Sequence, residues 1–129
     1  MGSKVVLIPR DQPKWERIKT LPGLKKGEEK ELAGIESAVL RTDDQTGAMT
    51  TLLRYDPGYI EPKQRHSVGH AGYVLRGAIY NAETGQLLVA EGDYWYAPAG
   101  DVHGPFAFAP DTLVLFITDG PFDFYIVRD

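Results

Sequence analysis

We predict an all-β fold, a small barrel or sandwich, from three features of the amino-acid sequence. Short apolar runs typical of strands recur from residue 35 onward, turn-forming clusters separate them, and a length of 129 residues suits one domain with a single pocket. The predicted strands cover residues 35–41, 49–55, 73–75, 87–89, 93–97, 113–118 and 123–127.

The segments between these runs are rich in Gly, Pro, Asp and Asn. Glycine accepts positive φ, proline fixes φ, and Asp and Asn side chains bond to nearby backbone, so such clusters favour turns. They cover residues 43–47, 56–58, 81–85, 98–101 and 119–121. Many short strands at even spacing are typical of a barrel or sandwich.

The first 34 residues have a different pattern. They are rich in charge, and Pro13 and Pro22 limit any helix to a turn or two. Their apolar residues recur every third position, at Trp15, Ile18, Leu21 and Leu24. We therefore expect residues 1–34 to form an irregular N-terminal arm that packs on a barrel of residues 35–129.

Composition narrows the function classes. The formal charge is −4 from 14 basic and 18 acidic residues, and no basic run is longer than Lys25-Lys26, which argues against nucleic acid as a partner. The absence of cysteine excludes thiolate metal sites and thiol nucleophiles. The apolar patch from Val5 to Ile8 ends at Pro9 and is too short for a signal peptide or a membrane span. We expect a cytoplasmic protein without a membrane partner.

All three histidines lie between residues 66 and 103. Imidazole is the side chain that most often binds divalent transition metals. His66 and His70 are four positions apart, and His103 comes from a distant part of the chain. Two nearby histidines and one distant histidine predict a site for one divalent metal ion.

The histidines belong to two spaced patterns that resemble the two motifs of the cupin superfamily. The first pattern is Gly58, five residues, Gln64, Arg65, His66, three residues, His70, six residues, Gly77. The second is Gly92, five residues, Pro98, Ala99, Gly100, two residues, His103. Residues 78–91 between them are suited to one strand pair and its turn.

Further positions resemble one branch of that superfamily, which contains the C-terminal domain of the ChrR anti-sigma factor, acetylacetone-cleaving dioxygenases and 2,4'-dihydroxyacetophenone dioxygenases. The similar positions are Trp15 and residues 21–23, 51–54, 57–58 and 74–77. The resemblance implies a double-stranded β-helix, the cupin jelly-roll barrel, with one metal inside one end. It also implies a small-molecule substrate and a homodimer.

Two positions depart from the common cupin pattern. Gln64 stands where the first histidine usually lies, and His70 stands where a glutamate usually lies. The resemblance then implies His66, His70 and His103 as ligands, with Gln64 either a fourth ligand or an outer group that tunes the others. Gln64 is also the residue that would mark a degenerate barrel without metal.

Uncharged ligands leave the full dipositive charge on the ion, which favours an anionic or enolisable substrate. Three-histidine sites recur in oxygen-dependent cupins, so the resemblance points to Fe(II), with Zn, Ni or Mn as alternatives.

Strand alternation places Val74 on the same face as His70, so we expect Val74 in the pocket wall. Of the two faces of residues 93–97, we expect Tyr94 and Tyr96 to face inward rather than Asp93, Trp95 and Ala97. Arg76 is a candidate guanidinium for an anionic substrate, as are Arg54 and Arg65.

No catalytic residue beyond the metal ligands is evident from the sequence. The acidic residues near the motifs lie in or beside turns, where capping and solvation explain them: Glu61, Glu83, Glu91, Asp93 and Asp101. No Gly-x-Ser-x-Gly elbow supports Ser67 as a nucleophile.

The function that the resemblance implies is a metal-dependent dioxygenase that cleaves a carbon–carbon bond in a β-diketone or hydroxyketone. Two alternatives stay open: a non-catalytic ligand- or metal-sensing cupin similar to ChrR, and an oxygen-independent, metal-assisted isomerase or cyclase. ChrR carries a sigma-binding domain ahead of its cupin, whereas this chain begins close to the arm, which favours a stand-alone enzyme.

Overall fold

The computed structural model describes residues 5–128, and these residues form twelve β-strands and one short 3-10 helix, Glu28–Leu32. This confirms the predicted all-β class. The strands are β1 (Glu16–Arg17), β2 (Ile35–Thr42), β3 (Met49–Tyr55), β4 (Ile60–Glu61), β5 (Gln64–Arg65), β6 (His70–Arg76), β7 (Ala78–Asn81), β8 (Leu87–Ala90), β9 (Tyr94–Ala97), β10 (Phe106–Phe108), β11 (Leu113–Thr118) and β12 (Tyr125–Ile126).

The strands form two main antiparallel sheets and one additional strand pair. The larger sheet has the order β1-β2-β3-β11-β6-β9, the smaller has the order β4-β10-β7-β8, and β12 pairs with β5. The chain passes from the larger to the smaller sheet between β6 and β7 at Gly77, where φ is 92°. A positive φ is costly for residues with a Cβ, so a glycine suits this position. β7 and β8 form the hairpin expected within residues 78–91.

Alternating side chains of both sheets form the core. Leu53, Val114 and Val74 lie side by side on β3, β11 and β6, since Val114 is in register with both of the others. Val74 and Val114 are fully buried. Burial of one such side chain contributes about 1.5–3 kcal/mol to stability. Ile79 of the smaller sheet belongs to the same apolar cluster.

The N-terminal segment contacts this core. β1 pairs with β2, and Ile18, Leu21 and Leu24 pack against the buried cluster. The 3-10 helix places Leu32 in the interior, where it is fully buried. This segment therefore closes one side of the space between the sheets. Within residues 5–128, no helix is long and apolar enough to cross a membrane.

Candidate metal centre

The fold brings the three histidines together. His66 follows β5, His70 begins β6 in register with Ala97 and Thr118, and His103 forms a bridge with Gln64. That bridge has two backbone hydrogen bonds of 2.8 and 3.0 Å. One ring nitrogen of each histidine lies within 4.8 Å of the others. The three rings thus converge on one point at the end of the interior.

Backbone carbonyls orient two of the rings. His66 Nδ1 lies 2.6 Å from the carbonyl oxygen of Asp123, and His103 Nδ1 lies 3.1 Å from that of Asp101. A carbonyl can only accept, so each Nδ1 carries the hydrogen and donates it. The Nε2 atom of each neutral ring then has a free lone pair, which is the form that binds a metal.

The side chain of Gln64 adds a third lone pair. Its Nε2 donates to the carbonyl oxygen of Pro62 at 2.8 Å, which turns Oε1 toward His66 Nε2 at 2.9 Å. Two acceptors facing each other at this distance repel unless a proton or a cation lies between them. Burial lowers the pKa of His66 to about 4, so a proton is not bound there at neutral pH. A cation would make the contact favourable.

His70 is the most perturbed of the three histidines. Its Nδ1 is buried and has no hydrogen-bond partner among the described residues. Burial, followed by the neighbouring histidines, lowers the pKa of His70 to about 3, and burial also lowers the pKa of His103. All three rings are therefore uncharged at neutral pH, as metal ligation requires. An orphaned buried nitrogen among converging lone pairs fits a divalent metal ion.

Aromatic side chains surround the histidines. Phe122 stacks on His66 with ring centroids 4.5 Å apart, and Phe116 lies 4.8 Å from His70. Phe106 lies 5.7 Å from His103. These apolar neighbours limit hydration and strengthen electrostatic interactions within the centre.

A cavity of about 310 Å³ opens beside the histidines between the two sheets. Its size falls at the lower end of the range for small-molecule pockets. Most of its wall is apolar or aromatic, and no lysine or arginine contributes to it within residues 5–128. The aromatic wall residues are Tyr55, Trp95, Phe106, Phe108, Phe116, Phe122 and Phe124.

The prediction that Tyr94 and Tyr96 line this cavity is wrong. They are 62% and 51% exposed, and Trp95 forms the wall instead. β9 pairs with β6 such that Trp95 is opposite Gly72. A Cβ at Gly72 would lie 2.1 Å from Trp95 Cη2, so the glycine leaves room for the indole on the inner face. A glycine inside a strand is the sequence signal for such a close approach.

The other two predicted pocket residues also lie outside the cavity wall. Val74 faces inward on the same side as His70, but it is packed in the core cluster and does not line the cavity. Arg76 is exposed, and its Nε donates to the carbonyl oxygen of Asp111 at 3.0 Å. It lies at the end of β6, where the interior is already filled by Val74 and Val114.

Glu61 is the cavity residue that the sequence interpretation missed. It belongs to β4 and pairs with Phe106, so its side chain lines the cavity instead of a solvated turn. Glu61 is half-buried as a residue, and desolvation of its carboxyl group raises the pKa to about 7, against a hydrogen bond with Gln64 that lowers it. A strand of two residues gives no measurable period, so no local pattern in the sequence indicates this position.

Comparison with known proteins identifies the family of the chain. The model of the ChrR Cupin-like domain family matches residues 26–123. The DNA damage-repair/toleration protein DRT102 of Arabidopsis thaliana is 30% identical over 83 residues, which are 62% of this chain and 26% of that protein. The chain thus spans about a quarter of the length of this curated relative.

Solved structures share the fold at low sequence identity. KdgF from Halomonas sp. has a TM-score of 0.63 at 20% identity, covering 92% of this chain and 94% of that one. The polyketide cyclase RemF from Streptomyces resistomycificus has a TM-score of 0.65 at 21% identity, covering 100% of this chain and 87% of that one. An acetylacetone dioxygenase from Acinetobacter johnsonii has a TM-score of 0.63 at 17% identity, covering 100% of this chain and 80% of that one. With the family match over most of its length, this chain belongs to the ChrR cupin-like domain family of the cupin superfamily.

Proposed function

We propose that this chain is a metal-dependent dioxygenase that cleaves a carbon–carbon bond in a β-diketone or hydroxyketone. The observation that carries the proposal is the convergence of three histidine side chains at one end of an apolar cavity. The fold shared with an acetylacetone dioxygenase from Acinetobacter johnsonii agrees with it.

His66, His70 and His103 would hold the ion, with Gln64 Oε1 beside His66 as a further oxygen donor. A divalent metal there, Fe(II) in this proposal, would supply Lewis acidity toward a substrate enolate and one-electron chemistry toward dioxygen. Uncharged ligands favour an enolate because they leave the charge of the ion uncompensated.

The chain itself orients the substrate and excludes water. Trp95 and the stacked pair of Tyr55 and Phe108, whose ring centroids are 3.6 Å apart, offer flat apolar surfaces for a ring or acyl chain. The aromatic side chains around the histidines, Phe122, Phe116 and Phe106, keep water from the reacting carbon atoms. In the overall reaction, the substrate and one dioxygen molecule would give two carbonyl or carboxylate fragments that retain both oxygen atoms.

A second candidate is an oxygen-independent, metal-assisted isomerase or cyclase. Glu61 favours it, because a cavity carboxyl with a pKa raised to about 7 suits proton transfer at neutral pH. The fold shared with a polyketide cyclase agrees with this candidate.

Oxygen consumption distinguishes these functions. Elemental analysis should first find close to one transition metal per chain, and His103→Ala should lack it. Fe(II)-loaded protein should then consume oxygen in step with the loss of a β-diketone or α-hydroxyketone from a small panel. Turnover that continues without oxygen would favour the isomerase or cyclase. Tight ligand binding without turnover in either condition would indicate a sensor, and absence of metal would refute the site.

A further inference from the structure

One half of the larger sheet has an exposed apolar outer face. Side chains along β6, β9 and β11 alternate between the interior and the outside, and His70 and Val74 of β6 face the interior. Five large outward residues are between 39% and 62% exposed: Tyr73, Leu75, Tyr94, Tyr96 and Ile117. We call these five residues the tyrosine face.

Strand pairing brings the members of the tyrosine face next to one another. Tyr73 of β6 is in register with Tyr94 of β9. Ala71, two positions earlier on β6, is in register with Tyr96 on one side and with Ile117 on the other. Side chains that face each other across paired strands lie in contact distance. The tyrosine face is therefore one continuous patch, and it contains no charged side chain.

The area of the tyrosine face suits the centre of a protein interface. An aromatic side chain buries about 150–250 Å² when it is covered completely, so the exposed parts of these five residues amount to roughly 500 Å². A standard interface buries about 800 Å² on each partner, with tyrosine enriched and charged residues depleted at its centre. The tyrosine face therefore supplies more than half of one partner's share.

The other half of the same sheet is packed on its outer side against the chain itself. Ser37 and Val39 of β2 line the cavity, so Ala38 between them points outward, yet it is fully buried. On β3, the outward Arg54 lies over the ring of Trp15 at 3.9 Å. The N-terminal segment thus reaches the outer side of β3, whereas the outward residues of β6 and β9 remain exposed.

We propose that two copies of this chain form a homodimer by packing their tyrosine faces on each other about a two-fold axis. Such an axis places the same patch on both partners. Each copy has a formal charge of −4, and contact through an uncharged face lets two acidic copies meet without opposing like charges at its centre. The cupin resemblance implies a homodimer without indicating its surface, and the proposed catalytic function does not enter the argument.

Sedimentation equilibrium of the purified full chain tests this assignment. Wild type should be a dimer at micromolar concentration, and the dimer should persist at high salt, which screens exposed charge pairs but not apolar contacts. Ile117→Asp should raise the dissociation constant by at least about 100-fold, because the two-fold axis would bury one uncompensated carboxylate from each copy. Tyr94→Asp, at the most exposed position of the face, should have the same effect if Ile117→Asp folds poorly.

Two control variants place the same new charge on other exposed apolar residues. Ile60→Asp is the matched control, because Ile60 is a 50% exposed isoleucine on β4 of the smaller sheet. Leu7→Asp changes the N-terminal segment, where Leu7 is 83% exposed. Both variants should keep the wild-type dissociation constant.

The outcomes separate the tyrosine face from other ways of association. A monomeric wild type at these concentrations, or a dimer that withstands both changes on the tyrosine face, would overturn the inference. Dissociation of the Leu7→Asp variant alone would mean that the N-terminal segment holds the copies together. Dissociation of wild type at high salt would mean that exposed charge pairs do so. Either result would also overturn the inference.

Discussion

Glu61 should make the stability of the metal-free protein fall as the pH rises toward neutrality. Its carboxyl group is desolvated in the cavity wall, which raises its pKa from 4.5 to about 7 in the folded protein. The unfolded chain exposes the same group to water. Below pH 4.5 Glu61 is protonated in both the folded and the unfolded state, so burial of its carboxyl group does not lower the free energy of unfolding. As the pH rises from 4.5 through about 7, the unfolded chain ionises first, and the free energy of unfolding falls.

The magnitude follows from the two pKa values. Each pKa unit corresponds to about 1.4 kcal/mol, so the interval from 4.5 to about 7 corresponds to roughly 3 kcal/mol. Glutamine cannot ionise, so the Glu61→Gln variant does not show this fall in the free energy of unfolding. The free energy of unfolding of Glu61→Gln, relative to wild type, should rise by roughly 3 kcal/mol between pH 4.5 and pH 8.

Urea denaturation of chelator-treated protein at several pH values measures this difference. The histidines titrate in both proteins, so their contribution cancels in the comparison. Glu83→Gln is the matched control, because it removes a carboxylate of the same length from an exposed turn, and its curve should follow that of wild type. A difference between Glu61→Gln and wild type that is constant with pH would mean that the carboxyl group is solvated, and the reasoning would fail.

Three further predictions concern the metal and the cavity wall. Excess Zn(II) or Fe(II) should raise the melting temperature at neutral pH, by the equivalent of about 2.7 kcal/mol at 100 times Kd, and His103→Ala should remove this shift. Gln64→Ala should weaken metal affinity by about 10- to 100-fold, measured by competition with a chelator; complete loss would make Gln64 a required ligand. Gly72→Ala should displace the Trp95 indole and lower stability by about 1–3 kcal/mol in urea denaturation, because a Cβ would lie 2.1 Å from it; an unchanged stability would contradict the packing described.

The long strands could be predicted from the sequence because they carry enough residues to display a period. Residues 49–55 and 113–118 were predicted with the bounds that β3 and β11 have. β4, β5 and β10 have two or three residues each and lie close to proline residues. Alternation cannot be recognised over such lengths, and their pairing depends on partners far away in the chain.

The histidine cluster was predicted from spacing, whereas the cavity wall was not. The spacing of the motif residues can be read from the sequence without knowing which strands pair. The inward face of β9 depends on its pairing with β6, and the turn at residues 98–101 breaks any phase counted from His103. Gly72 is the residue in the sequence that indicates the inward face of β9, since a bulky residue opposite a strand glycine fills the space that the glycine leaves.

The location of negative charge distinguishes this centre from the common cupin pattern. The glutamate that usually ligates the metal is replaced by His70, and a carboxylate stands instead at Glu61, one hydrogen bond from Gln64. Gln64 Oε1 in turn lies 2.9 Å from His66 Nε2, so the Gln64 amide stands between Glu61 and the candidate ligands. A bound cation would stabilise the ionised form of Glu61 and lower its pKa below the metal-free value. An ionised Glu61 would then offset part of the charge that the three uncharged histidines leave on the ion.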